Sequence, residues 1–287
     1  MELTTDDLTL HYEDDGDPDK PPVLVLHGIT QSTATWSWLV PHLVDDHRIV
    51  RLDFRGHGRS GRTPGQYTFA GYVADATAIC EKVLGSQPAV VVGHSLGGGT
   101  AAALAQTRPE LVRGVVLEDP AIMAPPLPGE RPSLEGNALL DGFRLMRESI
   151  PRLQESGISV ADLANVLRNA PSTSGNATFG DVAHDDALVA MAEGMLQLDA
   201  TVLDPVFDGT HAPVFDPHRE LPVPGIVLAG DPSMPDTIVR AAELANLTAN
   251  SPKIEQRVVT GAGHMIHDAK AHRQAVLDAV RDVLARV

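Results

Sequence analysis

Short, uninterrupted apolar runs recur along the chain, and most of them end at a glycine or an acidic residue. Residues 23–26 are Val-Leu-Val-Leu before His27-Gly28, and residues 89–92 are Ala-Val-Val-Val before Gly93. Runs without polar alternation are typical of strands that are buried on both faces, as in a parallel sheet. The sequence therefore predicts an α/β fold with a mostly parallel, doubly wound sheet. Further runs of this kind lie at residues 48–52, 114–117, 225–228 and 257–259.

The alternation of strands and helices breaks between residues 121 and 221. Proline-rich stretches flank this part of the chain, and candidate helices lie between them at residues 139–147, 160–168 and 187–203. We interpret it as a helical cap or lid inserted over the sheet. The predicted organisation is a first core part at 1–120, a cap at 121–221 and a second core part at 222–287, with a final helix over 271–287. The prolines of the first linker are Pro125, Pro126, Pro128 and Pro132, and the second stretch covers residues 205–224.

The chain of 287 residues has 38 acidic and 22 basic residues, a formal net charge of -16. A surface this acidic repels phosphate backbones and anionic lipid headgroups. No apolar run approaches the roughly 20 residues that a membrane-spanning helix needs. The composition therefore argues against nucleic acid and membrane insertion, and the expected partner is a small molecule.

Cys80 is the only cysteine, so an internal disulfide is excluded, and no metal-ligand spacing surrounds it. We expect a buried structural thiol, because free cysteine is among the most buried residue types. The first residues are acidic and lack the basic and apolar regions of a signal peptide. The sequence thus predicts a cytoplasmic protein without a metal or other cofactor.

Residues 93–97, Gly-His-Ser-Leu-Gly, match the pattern G-x-S-x-G where a predicted strand changes to a helix. In such a nucleophile elbow the serine stands on a sharp turn with small neighbours, and the helix N-terminus favours developing negative charge. The alternative is the strand-to-helix turn of a nucleotide-binding fold. That fold would need G-x-G-x-x-G or a phosphate-binding lysine, and neither is present. Ser95 is therefore the predicted nucleophile.

With this elbow, several short motifs make the chain similar to the α/β-hydrolase superfamily over nearly its whole length, apart from residues 121–221. The resemblance implies the α/β-hydrolase fold and a serine hydrolase, but it is much less specific for the substrate. The motifs stand in the superfamily's order: His27-Gly28, Asp53 to Ser60, the elbow, Leu117-Glu118-Asp119-Pro120, Gly230-Asp231 and Gly261-Ala262-Gly263-His264.

A serine hydroxyl is a poor nucleophile until a base takes its proton. Among the 12 histidines, His264 is favoured because it follows a late strand on a Gly-Ala-Gly turn, whose loop can bring an imidazole onto the elbow. The resemblance places the family's histidine at the same position. It also implies that the backbone N–H groups of Ile29 and Leu96 form the oxyanion hole.

Several carboxylates compete to be the acid that holds the tautomer of His264, and this acid must lie at a strand end near that histidine. Asp231 follows the strand predicted at 225–228 and gives the chain order Ser, Asp, His, so it is the first choice. Many superfamily members carry the acid two residues further on, where this chain has Ser233. The rival candidates are Glu118 and Asp119 after the preceding strand, and Asp236.

Other polar residues near these motifs are expected to be structural. His267 lies one turn beyond His264, and His57 and His94 are interpreted as packing or hydrogen-bonding neighbours. The run from Asp53 to Ser60 has charged groups around two glycines, which favours a salt-bridged scaffold loop.

Apolar residues around the catalytic positions predict a pocket for a medium-sized apolar group, with Met234 and Met265 at its mouth. Methionines of the predicted cap, Met191 and Met195, would line it from above, although stripes at helical spacing often pack into a core instead.

Together these residues predict a hydrolase of a carboxylic ester or lactone that acts through an acyl-enzyme. The same triad could serve a carbon–carbon bond hydrolase or a perhydrolase. A third possibility is a small-molecule receptor that keeps the triad but turns over activated esters negligibly.

Overall fold

The computed structural model describes residues 1–122, 137–172, 177–210 and 214–287. Pro125, Pro126, Pro128 and Pro132 lie outside the described residues. No helix within the described ranges is both long and apolar enough to span a membrane.

Eight strands of the described chain form one sheet in the order β1-β2-β4-β3-β5-β6-β7-β8. The pairs β1–β2 and β2–β4 are antiparallel, and the strands from β4 to β8 are parallel. The predicted mostly parallel sheet is thus confirmed. The strands are β1 (Glu2–Thr4), β2 (Thr9–Asp15), β3 (Pro22–Leu26), β4 (Arg48–Leu52), β5 (Ala89–His94), β6 (Val112–Glu118), β7 (Gly225–Ala229) and β8 (Ile254–Val258).

Helices cover the sheet, and a helical segment separates β6 from β7. Helix α1 continues as one π-helical turn, Ile79–Val83. The described α-helices are α1 (Phe69–Ala78), α2 (Leu96–Thr107), α3 (Ala138–Ser156), α4 (Val160–Asn169), α5 (Phe179–Val182), α6 (Asp185–Leu196), α7 (Asp204–Asp208), α8 (Ala241–Asn250) and α9 (Arg273–Leu284).

The single helix predicted over residues 187–203 is two helices in the structure. Helix α6 ends at Leu196, and a short 3-10 helix covers Ala200–Leu203. Asp199 begins this second helix because its carboxylate accepts hydrogen bonds from the backbone N–H and the hydroxyl of Thr201.

The central strands are buried on both faces, and alternate residues belong to two apolar cores. Val23 and Val25 of β3 pack in one core with α9, whereas Leu24 and Leu26 pack in the other. The second of these cores also contains Phe143, Ile150 and Leu163 of the helical segment. This segment therefore shares the core of the sheet.

Candidate active site

Ser95 occupies the turn between β5 and α2 in a conformation that only small neighbours allow. Its φ is +52° and its ψ is -114°, which is an unfavourable region for a residue with a side chain. A Cβ atom at Gly93 would lie 2.3 Å from the carbonyl oxygen of Gly97, and one at Gly97 would lie 2.3 Å from that of Leu26. The two glycines of the motif therefore let the elbow and the sheet approach each other.

His264 is buried on the loop after β8, and its acidic partner is Asp119. The distance from His264 Nδ1 to Asp119 Oδ2 is 2.6 Å. Backbone N–H groups hold the same carboxylate: Ile238 donates to Oδ2 at 3.0 Å, and Gly230 and Val239 approach Oδ1 at 3.4 Å. Asp119 follows β6 directly, so the acid in contact with the histidine comes from the β6 end rather than the β7 end.

Asp231, the first choice from sequence, does not contact His264. Its Oδ1 accepts hydrogen bonds from the N–H and hydroxyl of Ser233, and its Oδ2 accepts one from the N–H of Gly261 at 2.8 Å. These bonds lower the pKa of Asp231, with that from Gly261 the largest cause. The predicted contact between Asp231 and His264 is therefore wrong. Asp231 instead uses its carboxylate to close the turn that leads to His264.

The other carboxylate candidates also lie near this histidine loop. Asp236 is buried, and its Oδ1 would lie 2.5 Å from a Cβ atom at Gly263. Glu118 accepts hydrogen bonds from the backbone N–H and the ring of His267, not from His264.

Short contacts connect the segments that carry Ser95 and His264. The N–H of Ser95 donates to the carbonyl of Glu118 at 2.9 Å. The ring of His94 lies 4.6 Å from the ring of His264, centroid to centroid, and its Nε2 lies 3.1 Å from the carbonyl oxygen of His264. Among the described residues, no hydrogen bond joins the Ser95 hydroxyl to His264. Such bonds often tighten only when substrate binds.

The loop after β3 carries Ile29, the first of the two predicted oxyanion donors. The N–H of Gly28 donates to Gln31 Oε1 at 2.7 Å, and the N–H of Gln31 donates back to the Gly28 carbonyl at 3.2 Å. The second predicted donor, Leu96, is the first residue of α2, so its N–H has no acceptor within the helix.

Three other buried histidines near the site are held neutral. Burial lowers the pKa of His27 to about 4. Burial, together with the nearby His27, lowers that of His57 to about 3. Burial and the proximity of His264 and His267 put the pKa of His94 well below its usual value. A neutral ring hydrogen-bonds without carrying charge, which fits their predicted roles as neighbours.

The run from Asp53 to Ser60 forms a tight loop beside the β3 turn. The Asp53 carboxylate accepts hydrogen bonds from the N–H groups of Thr33 at 2.6 Å and Arg59 at 3.1 Å. The hydroxyl of Ser60 donates to the Asp53 carbonyl at 2.5 Å. Asp53 and Ser60 are therefore held within the loop, whereas Arg55 and Arg59 form ion pairs with Asp75 and Glu13 outside it.

A cleft of about 320 Å³ lies between the helical segment and the loop that carries His264. Two of the predicted pocket residues, Met191 and Met265, line it on opposite sides. Met195 instead packs in the main core, and Met234 does not line this cleft. The other lining residues include Phe179, Val182, Asp236, Gly263 and Asp268.

Asp119 and His264 form a hydrogen-bonded pair next to the turn of Ser95, an arrangement that could serve as a general base and a nucleophile. When His264 Nδ1 carries the proton that it donates to Asp119, its Nε2 has a free lone pair for a hydroxyl proton. Sequence reasoning ranked Asp119 below Asp231. The sequence contains a further signal that favours Asp119. Two consecutive acids end β6 and two histidines stand three residues apart, so each acid can pair with one histidine.

A family profile described as alpha/beta hydrolase fold matches residues 21–271. The chain belongs to the α/β-hydrolase family. Over 100 residues it is 41% identical to a serine hydrolase-like protein of Danio rerio, a match that spans 34% of this chain and 30% of the relative. The chain therefore matches only about a third of the length of that relative.

Two longer similarities cover most of this α/β hydrolase. It is 28% identical over 284 residues to the sn-1-specific diacylglycerol lipase ABHD11 of Mus musculus, with 94% of this chain and 83% of that protein covered. The crystal structure of E-2-(acetamidomethylene)succinate hydrolase superimposes with a TM-score of 0.73 at 20% identity, covering 99% of this chain and 98% of that one. The structural similarity shows the fold, and the family match together with the longer relative supports hydrolysis as the class of reaction.

Proposed function

We propose that this α/β hydrolase cleaves a carboxylic ester or lactone with Ser95 as nucleophile, His264 as base and Asp119 as acid. The observation that carries the proposal is the 2.6 Å contact between His264 Nδ1 and Asp119, formed beside the strained turn of Ser95. A carboxylate at this place fixes the tautomer in which Nε2 is the base, and it stabilises the imidazolium that forms.

The first half-reaction makes an acyl-enzyme. His264 Nε2 takes the proton of the Ser95 hydroxyl as Oγ bonds to the substrate carbonyl carbon. The carbonyl oxygen becomes an oxyanion, which accepts hydrogen bonds from the backbone N–H groups of Ile29 and Leu96. When the carbon–oxygen single bond of the ester breaks, His264 returns the proton to the leaving alkoxide. In a lactone that alcohol stays attached to the acyl group.

The second half-reaction is hydrolysis of this intermediate. His264 takes a proton from water as the water oxygen bonds to the acyl carbon. The bond to Ser95 Oγ then breaks, and the serine recovers its proton from His264. The products are a carboxylic acid and an alcohol, or a hydroxy acid from a lactone.

The cleft between the helical segment and the His264 loop, which Ser95 and His264 do not themselves line, would hold the far end of the acyl group. Its volume of about 320 Å³ and its apolar walls at Phe179, Val182 and Met191 suit a medium-sized apolar chain. Residues 121–221 would then act as a cap that sets substrate size. The similarity to a diacylglycerol lipase supports an ester as the bond that is cleaved.

A fluorophosphonate probe and an ester panel test the proposal. We expect stoichiometric labelling at Ser95, found by peptide mass spectrometry, and many turnovers of activated esters. Ser95→Ala should lose both while its thermal unfolding stays within a few degrees of wild type. Ser233→Ala, which removes a hydroxyl from a surface turn, is the matched control and should keep both.

Other outcomes would identify the alternatives. Labelling of Ser95 without ester or lactone turnover would indicate a receptor. Turnover only of substrates with a cleavable carbon–carbon bond, or of peroxide with a carboxylic acid, would replace the ester assignment and leave the serine mechanism in place. Turnover retained in Ser95→Ala would refute that mechanism.

A further inference from the structure

Glu118 is fully buried at the end of β6, where it touches the segment of each proposed triad residue. Its carbonyl accepts the N–H of Ser95 at 2.9 Å, and its neighbour in the chain is Asp119. Its side chain reaches the loop of His264 through His267. The backbone N–H of His267 donates to Glu118 Oε1 at 2.8 Å, and ring Nδ1 lies 2.8 and 2.9 Å from the two carboxylate oxygens.

The Glu118–His267 pair is an ion pair inside the protein. Burial opposes a charge on the ring of His267, but the carboxylates of Asp268 and Glu118 outweigh burial and raise its pKa. The ring also stacks on Trp36, with the centroids 4.4 Å apart. Both partners are therefore fixed in position, since neither side chain can turn without leaving a buried charge unpaired.

Hydrogen bonds extend from this pair to the loop that carries Ile29. Thr35 Oγ1 lies 3.1 Å from His267 Nε2 and accepts a hydrogen bond from Gln31 Nε2, also at 3.1 Å. The other end of that amide, Gln31 Oε1, accepts the N–H of Gly28 at 2.7 Å and lies 3.0 Å from His94 Nδ1. The pair is thus connected to every segment that would contribute to the reaction.

His94, Glu118 and His267 also have the composition of a metal site, with one possible ligand atom from each within 4.8 Å of the others. However, His267 Nδ1 lies in direct hydrogen-bond contact with Glu118, at 2.8 and 2.9 Å, so no room for a cation remains between these ligand atoms. His94 Nδ1 lies 3.0 Å from Gln31 Oε1 and Nε2 lies 3.1 Å from the His264 carbonyl oxygen, so the single proton of the neutral ring is donated to one of these two acceptors. A hydrogen-bonded network therefore accounts for these atoms better than a metal.

We propose that Glu118 is a positioning residue, which holds Ser95, Asp119 and the loop of His264 in register through its pairing with His267. This inference rests on the proposed function. Glu118 does not touch substrate or transfer a proton. Its effect is to keep His264 within reach of the Ser95 hydroxyl, so it should affect the rate of acylation and not the binding of substrate.

The test is steady-state kinetics of Glu118→Gln, with the active-site concentration titrated by the fluorophosphonate. Gln keeps the size of the side chain and one acceptor oxygen but removes the charge that pairs with His267. We expect kcat to fall by about 10- to 100-fold, the size of effect that a misplacement of about 1 Å produces, while KM changes less than about threefold. The rate of fluorophosphonate labelling should fall with kcat.

The matched control is Asp75→Asn on helix α1, which breaks a buried ion pair between Asp75 and Arg55. Both carboxylates are almost fully buried, at 2% exposure for Asp75 and 0% for Glu118. Asp75→Asn should lower Tm without changing kcat.

The double variant Glu118→Gln/His267→Gln completes a cycle. If the two residues act as one unit, its kcat should be no lower than that of the poorer single variant. The inference is overturned if Glu118→Gln behaves like Asp75→Asn, with a lower Tm and unchanged kcat in titrated enzyme. A wild-type enzyme that is not labelled at Ser95 would instead refute the proposed function, and the role of Glu118 with it.

Discussion

Asp119 has a φ of +32°, a backbone conformation that residues with a side chain rarely adopt. Strand β6 ends in this strained turn, and two consecutive acids there reach two different histidines. Glu118 pairs with His267, and Asp119 pairs with His264. Local strain at this point therefore separates two carboxylates that the sequence places side by side.

The first prediction compares the two aspartates that competed for the role of acid. Asp119→Asn should lower kcat by about 10⁴-fold, because His264 can then take the wrong tautomer. Asp231→Asn should keep most of the activity and lower Tm slightly, since its carboxylate bonds a turn. The measurement is ester turnover of the folded variants, all assayed in the same buffer. If Asp231→Asn is inactive while Asp119→Asn remains active, the acid is Asp231, at the end of β7.

The sequence favours Asp231 over Asp119 as the partner of His264. That prediction is wrong because the position of each aspartate in the sheet does not distinguish the two. Both follow parallel strands that are neighbours in the sheet, so both lie at the same edge, and chain order does not separate them. The choice depends on backbone N–H groups from Gly230, Ile238 and Val239, which gather around Asp119 only once the loop after β7 has folded.

A second prediction concerns pH and the buried His27. Its Nδ1–H donates to the Gly28 carbonyl at 2.8 Å, and its Nε2 accepts the N–H of Phe54 at 3.1 Å, so a proton on Nε2 would face another N–H. The folded pKa of about 4 lies below the ordinary value of 6.5. The unfolded chain therefore binds more protons between these two values, and stability falls as pH falls through that window.

His27→Gln keeps an acceptor for Phe54 but cannot titrate. The slope of unfolding free energy against pH between 6.5 and 4 should become shallower by up to about 1.4 kcal/mol per pH unit. Denaturant unfolding at a series of pH values measures this slope. His218→Gln, at an exposed histidine, should leave it unchanged. An equal slope in wild type and His27→Gln would show that His27 is not held neutral.

At the scale of elements, the contact between α2 and β3 depends on Gly97. A Cβ atom there would lie 2.3 Å from the Leu26 carbonyl oxygen and 2.7 Å from that of His27, and backbone atoms of a buried strand cannot move aside. Gly97→Ala should lower the free energy of unfolding by at least about 1–3 kcal/mol and reduce labelling of Ser95.

Gly142 in α3 is the matched control, since a Cβ atom there meets nothing within 4 Å. Gly142→Ala should raise stability by about 0.5–1 kcal/mol, because alanine loses less conformational entropy in a helix. Chemical denaturation measures both variants. If Gly97→Ala leaves the free energy of unfolding unchanged, α2 and β3 can move apart without a loss of stability.

Helix α6 supplies the next prediction, because Met191 faces the cleft and Met195 faces the core. Met191→Ala should enlarge the cleft and raise kcat/KM for long acyl chains relative to short ones. Met195→Ala should cost about 2–5 kcal/mol of stability and leave that ratio unchanged. An ester series of increasing chain length gives the measurement. If Met191→Ala instead changes kcat/KM by the same factor for every ester, Met191 is an ordinary packing residue that does not select acyl length.

Elements differ in how far the sequence predicts them. The strands β3, β5, β6 and β7 are evident because each contains a continuous apolar run, which can be stable only when buried on both faces. Strands β1 and β2 lie at the edge of the sheet, are mostly half-exposed and contain many polar residues, so nothing in their pattern distinguishes them from loops. Their place depends on tertiary contacts, since β2 pairs with β4 and β1 pairs with β2.

For the whole molecule, the shared core makes a prediction about unfolding. Phe143 and Ile150 of the helical segment lie in the same apolar core as Leu26 and Leu117 of the sheet. Separate melting of the segment would expose this core, so we expect a single thermal transition. Far-UV circular dichroism and the fluorescence of Trp36 and Trp38 should change together. Loss of helical signal while the fluorescence stays native would instead make the segment an independent unit.

The helical segment and the loop of His264 are joined by a short backbone ladder. The N–H of His184 donates to the Asp268 carbonyl at 2.9 Å, the N–H of Lys270 donates to Val182 at 2.8 Å, and Arg273 binds Asp186 with both terminal nitrogens. One wall of the cleft is therefore fastened to the strip of backbone that carries the base. A ligand too large for the cleft would push the two apart and drag His264 with them. Selectivity among ligands should then be expressed in turnover, with oversized molecules held but not processed.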